Sequence, residues 1–180
     1  MELHLDRQDG YVYDPVIKQY DTAFWMSTSG TPAISGTKLR FTSAAAASYI
    51  QHIFADIEFS LNVPTTPSAG EAKHWGLRSP ASDLLGAIYF EIAGAVFTCV
   101  SKDKAGNTKT TTLTWSAYEN ADTKYRIMWG REHIVFLING VVVATHTVAP
   151  DEALPLRIVN ADADNTDLAF VKVSKAAAII

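Results

Sequence analysis

The chain has 180 residues, 48% of them hydrophobic and 19% charged, with a formal net charge of −4 and a pI near 5.7. That length suits one domain with a sizeable core, and the acidic balance excludes the basic field that sequence-independent nucleic-acid binding needs. No window approaches the roughly 18 consecutive apolar residues of a membrane-spanning helix.

The opening residues, Met1 to Asp6, lack the basic and then apolar regions of a secretory leader, so synthesis without export is expected. Residues 1–20 are comparatively polar, hold Asp6, Asp9 and Asp14, and are expected as an arm outside a sandwich spanning 21–175. Lys38–Thr42 alternates, with Leu39 and Phe41 on one side. The alanine run Ala44–Ala47, flanked by Thr42, Ser43 and Ser48, is expected as a loop. From His52 to Val63 the period is two: Ile53, Ala55, Ile57, Phe59, Leu61 and Val63 share one face. A strand gathers these residues on one side, where a helix would scatter them. Ala87–Ala93 repeats the pattern, with Ile88, Phe90 and Ile92 opposing Tyr89 and Glu91.

A turn at Lys104–Asn107 separates Phe97–Ser101 from Thr108–Trp115. The sharpest local signal is Asn139-Gly140 between Ile134–Ile138 and Val141–Val143, which marks a type I′ hairpin because both turn residues must take positive φ. Breaks also fall at Pro64–Gly70, Ser79–Asp83, Glu119–Thr123 and Ala149–Pro155. Short strands joined by turns, with no long helical period, predict an all-β antiparallel sandwich or barrel. The apolar tail 176–180 is expected to pack against its own domain or another subunit.

Tyr125–Trp129, then Ile134–Gly140, Leu154–Asn160 and Leu168–Val173, form an order that resembles the concanavalin A-like lectin/glucanase superfamily, including laminin-G-like modules. Phe54–Asn62, Trp75–Leu77 and Ala87–Ile92 fit the earlier strands more loosely. The resemblance implies a two-sheet antiparallel jelly-roll sandwich with one concave face. Similar domains also serve as bacteriophage virion modules.

Glucanases of that superfamily carry a Glu-x-Asp-x-Glu strand, because glycoside hydrolysis uses two carboxyl groups. The nearest match is Phe54-Ala55-Asp56-Ile57-Glu58, where Phe54 replaces the nucleophile. A Phe forms no glycosyl-enzyme intermediate, so the retaining mechanism in its usual form is excluded; an inverting variant using Glu91 stays open. No serine sits in a Gly-x-Ser-x-Gly elbow. The single cysteine, Cys99, excludes an internal disulfide and reads as a core residue. Trp75, Trp115 and Trp129 share strand faces with apolar neighbours and also read as core. The five histidines show no metal-ligand spacing. The segment Asp162–Asp167 clusters oxygens that suit calcium, but it lacks the Gly and trailing Glu of an EF-hand and reads first as a solvated turn.

The candidate ligand face is the polar side of the 53–63 strand, with Phe54, Asp56 and Glu58 at two-residue spacing. Tyr89 and Glu91 join it from the 87–93 strand, and His74, which shares a face with Arg78, joins from a third. The leading expectation is a non-catalytic structural or interaction module, a virion decoration or attachment subunit rather than an enzyme, with other assembly subunits or copies of itself as partners and no cofactor. The alternative is a lectin-like glycan binder; a glycoside hydrolase stands third.

Overall fold

The computed structural model describes residues 11–13, 25–68, 70–79 and 86–175, with only the backbone described at 11–13. Fifteen strands occur among them: β1 (Tyr11–Tyr13), β2 (Trp25–Ser29), β3 (Ala33–Ser35), β4 (Lys38–Phe41), β5 (Ala44–His52), β6 (Ala55–Asn62), β7 (Ala72–Arg78), β8 (Ala87–Ala93), β9 (Val96–Lys102), β10 (Thr108–Leu113), β11 (Asp122–Trp129), β12 (Ile134–Ile138), β13 (Val141–His146), β14 (Leu154–Asn160) and β15 (Thr166–Lys175). One sheet runs β13-β12-β11-β6-β15-β4-β3, with β1 also paired to β15. The other runs β10-β9-β8-β7-β14-β5-β2. All pairings are antiparallel, and the architecture is the expected all-β jelly-roll sandwich.

The core lies between the two sheets. Trp75 from β7 meets the rings of Phe90, Phe97 and Tyr125 at centroid distances of 6.1, 6.2 and 4.7 Å. Leu39, Phe41, Ile57, Phe59, Leu61, Ile88 and Ile92 are buried, as the period-two alternation requires. Cys99 is buried among them, and burial pushes its thiol up to about 12. The hairpin forms at Asn139-Gly140, with φ of 50° and 82°.

Three local expectations change. Ala44–Ala47 is strand, not loop: β5 pairs with both β14 and β2, and its alanines are small enough to be buried on either side. Low strand propensity yields here to two flanking ladders. The 52–63 alternation breaks at Phe54, whose φ of 51° separates β5 from β6 and leaves Ile53 exposed. The arm expected outside the sandwich contributes β1, which pairs with Val171–Val173. The tail 176–180 lies outside the described residues.

Candidate functional site

The sandwich has two outer faces. On the first, β6 turns Asp56, Glu58, Ser60 and Asn62 away from the core. In register, Glu58 lies between Arg126 of β11 and Lys172 of β15, and Asp56 between Met128 and Ser174. Arg126 Nε and Nη2 donate to the two Asp56 carboxylate oxygens at 2.7 and 2.5 Å. Asp56, Glu58, Arg126, Lys172 and Ser174 line a surface pocket of about 180 Å³. Farther along, Arg40 grips Asp167 through two bonds of 2.8 Å, and Lys38 pairs with Asp122. Hydrogen bonding to Asp56 holds the Arg126 guanidinium above its ordinary pKa. Opposite charges facing each other across strands are the usual dressing of a solvated sheet.

Phe54 does not stand beside Asp56. Its left-handed backbone turns the ring back to the core edge, 5.7 Å from Trp129 in a T-shaped pair. The Arg131 guanidinium lies 5.9 Å from its centroid. A residue before the strand begins is not bound by the strand's alternation, which is why the three-residue grouping fails.

The second face is built differently. On β7, Trp75 and Leu77 enter the core, so His74, Gly76 and Arg78 point outward. On β8, Ile88, Phe90 and Ile92 enter, so Ala87, Tyr89 and Glu91 point outward. On β14, Arg157 and Val159 do the same. Register sets Arg157, Gly76 and Tyr89 in one cross-strand row, and Val159, His74 and Glu91 in the next. Gly76 is required there: a Cβ would meet the Ile88 carbonyl oxygen at 2.3 Å and Tyr89 Cβ at 2.7 Å. Arg78 spreads over the Tyr89 ring, its Cζ 5.2 Å from the centroid, and the His74 ring lies 5.5 Å from the same ring. Arg157 Nη1 donates to the Ser79 carbonyl at 3.2 Å.

His74 points away from the core yet is only 6% exposed. Burial first, then the Arg78 and Arg157 guanidiniums, push its pKa down to about 3, so the imidazole is neutral in ordinary solution. Arg78 Nη1 lies 3.4 Å from Nε2 and can only donate. Nε2 is therefore the acceptor and Nδ1 carries the proton, buried with no acceptor among the described residues.

Of the residues singled out from sequence, the structure brings His74, Tyr89 and Glu91 together with Arg78. It sets Asp56 and Glu58 on the opposite face and Phe54 at the core edge. Arg157 escaped the sequence reading, although a lone arginine inside Leu154-Pro155-Leu156-Arg157-Ile158 was the available signal.

The Asp162–Asp167 loop spends its oxygens on itself and its surroundings. Ser68 N donates to Asp162 at 2.8 Å, Thr65 Oγ1 to Asp164 at 2.7 Å, and Arg40 holds Asp167. Among the described residues no group of three His, Cys, Asp or Glu is arranged to hold a metal ion.

No protein-family model matches the chain, and no curated protein matches its sequence. Solved structures do match. The endo-β-1,3(4)-glucanase SCLam from family GH16 superposes with a TM-score of 0.76 at 10% identity, over 94% of this chain and 91% of that one. The Crh5 transglycosylase superposes at 0.73 and 15% identity, over 93% and 84%, and another Crh5 structure is a complex with NAG. The Bacillus licheniformis β-glucanase superposes at 0.72 and 15% identity, over 93% and 98%. The chain therefore shares the concanavalin A-like jelly roll of GH16 enzymes. These neighbours hydrolyse or transfer glycans. They overturn the expectation of a non-catalytic structural module and of a chain that is no enzyme, and they lend no support to the virion setting or its subunit partners. The lectin-like alternative came nearer, since these neighbours act on glycans.

Proposed function

We propose that the chain processes glycans, as an endo-acting glycoside hydrolase working across the outer face of the seven-stranded sheet. One observation carries the reading: a buried histidine, His74, contacts the partly exposed Arg78 and Tyr89 on an outward sheet face, in a fold whose solved neighbours are glucanases and transglycosylases. An outward sheet position normally faces water, so a buried neutral imidazole there marks a built site.

Cleaving a glycosidic bond needs a proton for the leaving oxygen and support for positive charge developing on the sugar ring. Glu91 is the carboxylate among the outward positions of β8, beside Ala87 and Tyr89; its proton goes to the leaving oxygen as the glycosidic bond breaks, while a water molecule bonds to the anomeric carbon and its released proton restores the Glu91 carboxyl through solvent. The Tyr89 ring, fixed by Arg78 and His74, faces the sugar. Because β8 does not bear Glu-x-Asp-x-Glu, a retaining mechanism built on two carboxylates of that strand is unavailable to it.

The test incubates the full chain with laminarin, mixed-linkage β-glucan, mucin O-glycans, a sulfated galactan and a polyuronate, and identifies products by mass. Mid-chain cleavage of at least one is expected, lost in Glu91→Gln and kept in Glu58→Gln. Intact polysaccharides throughout, or activity that depends on Glu58 and not Glu91, would overturn the proposal.

A further inference from the structure

We propose that Tyr49 and Gln51 of β5 form an outlying sugar subsite on the outer face of the seven-stranded sheet, where the Tyr49 ring stacks on one uncharged pyranose and the Gln51 amide bonds its hydroxyls. This rests on reading that face as the glycan site.

The placement follows from alternation along β5. Ala44 and Ala46 belong to the core, Ser48 is buried and Ile50 packs against the core, so Tyr49 and Gln51 point outward with Ala45 and Ala47. Register puts Ala47 in one cross-strand row with Arg157, Gly76 and Tyr89, on the same outer face. Between that row and the next, where Gln51 faces Pro155, the ladder is irregular: Ser48, Tyr49 and Ile50 lie opposite Leu156 alone. Ser48 secures this bulge. Its hydroxyl donates to the Ile50 carbonyl at 2.7 Å and accepts from Leu156 N at 3.0 Å, so backbone groups taken out of the ladder keep partners. β2 pairs with β5 only as far as Ser48, so no described strand flanks Tyr49 and Gln51 on that side.

The two side chains complement each other as sugar contacts. Tyr49 is 58% exposed, and Gln51 is exposed beside it. Neither side chain has a hydrogen bond, ion pair or ring contact among the described residues. A tyrosine ring offers an apolar face with a negative quadrupole, which suits the C–H face of a pyranose, while its phenol keeps a polar tip in water. A primary amide sets donors and an acceptor side by side, as two neighbouring hydroxyls require. A single exposed tyrosine is ordinary on any surface. A tyrosine raised on a bulge that a buried serine holds, with an unpartnered amide two residues on, is a built feature. β5 is three strands from β8 in the sheet order, about 14 Å between strand axes. Several sugar residues of one chain bridge that distance, which suits an enzyme that cuts within its substrate.

Isothermal titration of the full chain decides the matter, in the Glu91→Gln background so that no probe is turned over during the measurement. The probes are hexasaccharides from laminarin, mixed-linkage β-glucan and a neutral galactan. At least one is expected to bind. Tyr49→Ala is expected to weaken that probe about tenfold and Gln51→Ala about three- to fivefold, while Tyr49→Phe, which keeps the ring, stays within about twofold. In the active chain, Tyr49→Ala is expected to raise KM for the polysaccharide and leave kcat, because the lost contact lies far from the bond that breaks. Both side chains are exposed, so each variant is expected to unfold at the parent's urea midpoint. Unchanged affinity in Tyr49→Ala, a loss in Tyr49→Phe as large as in Tyr49→Ala, or no binding of any hexasaccharide would overturn the inference. Binding that needs Tyr49, without turnover of any glycan by the parent, would keep this inference and defeat the enzymatic reading. Turnover that needs Glu91, with affinity and KM indifferent to Tyr49→Ala, would do the reverse.

Discussion

The two outer faces of the sandwich differ in which ionisable residues they carry and in how they arrange them. Across β4, β6, β11 and β15 opposite charges form ion pairs: Arg40 with Asp167 in register, Arg126 with Asp56 on the diagonal, and Lys38 with Asp122. Across β7, β8 and β14 a neutral imidazole, an aromatic ring, two guanidiniums and a carboxylate crowd together, and one member is almost fully buried. Paired exposed charges contribute little to stability and leave nothing for a ligand to satisfy. A buried histidine on an outward sheet position must be justified by what it does. The carboxylate-rich face, with its shallow pocket, is therefore the less promising of the two.

The largest effect separating the faces is catalytic. Glu91→Gln is expected to lower kcat/KM by about 10³-fold, the scale of a lost general acid. Glu58→Gln is expected to stay within about twofold, because Glu58 sits in the paired face. Next comes Gly76→Ala. The added Cβ would press on β8 backbone at 2.3 Å, where no flexible side chain can yield. A loss of about 3 kcal/mol in urea unfolding is expected. An unchanged midpoint would mean that β7 and β8 do not approach as closely as described.

Much of the sandwich was legible in the sequence. The 52–63 alternation sorts core from surface from Ala55 onward but not at Ile53, the 87–93 alternation places Ile88, Phe90 and Ile92 in the core, and Asn139-Gly140 forms the expected hairpin. Alternation says which side of a strand is buried, but not which sheet the strand joins. Asp56 and Tyr89 both read as outward, and nothing local separates β6 from β8 into different sheets. That pairing is decided by long-range ladders such as β6 with β15, more than a hundred residues apart. The candidate site was therefore half legible: His74, Tyr89 and Glu91 were in view, merged with Asp56 and Glu58, which the structure sets on the other outer face. Ala44–Ala47 was missed because alanine carries no strand signal of its own.

A third prediction sets the faces apart by pH. His74 has an ordinary pKa of 6.5 and a folded value of about 3, lowered by burial first. Between those values the unfolded chain binds the extra proton, so stability falls as pH falls from 6.5 toward 3. The slope from this group is at most about 1.4 kcal/mol per pH unit. His52, lowered to about 4 by burial, acts with the same sign. His74→Phe should flatten the acid limb of a denaturation series in that window, while Asp122, lowered by its bond to Lys38, should matter only below about pH 4. An acid limb as steep in His74→Phe as in the parent would remove His74 from the account.

The smallest effect sharpens the contrast from the other side. Asp56→Asn keeps the shape of the side chain and removes its charge, leaving Arg126 with a neutral acceptor. The Arg126 side chain is 39% exposed, so water takes over much of the lost attraction. A destabilisation of about 0.5–1 kcal/mol is expected, shrinking further as salt is raised. Turnover and glycan affinity should both be unchanged, since the seven-stranded face lies across the core from this pair. A large loss of turnover in a fully folded Asp56→Asn protein would mean that the paired face takes part in function after all, and the division between the two faces would fall.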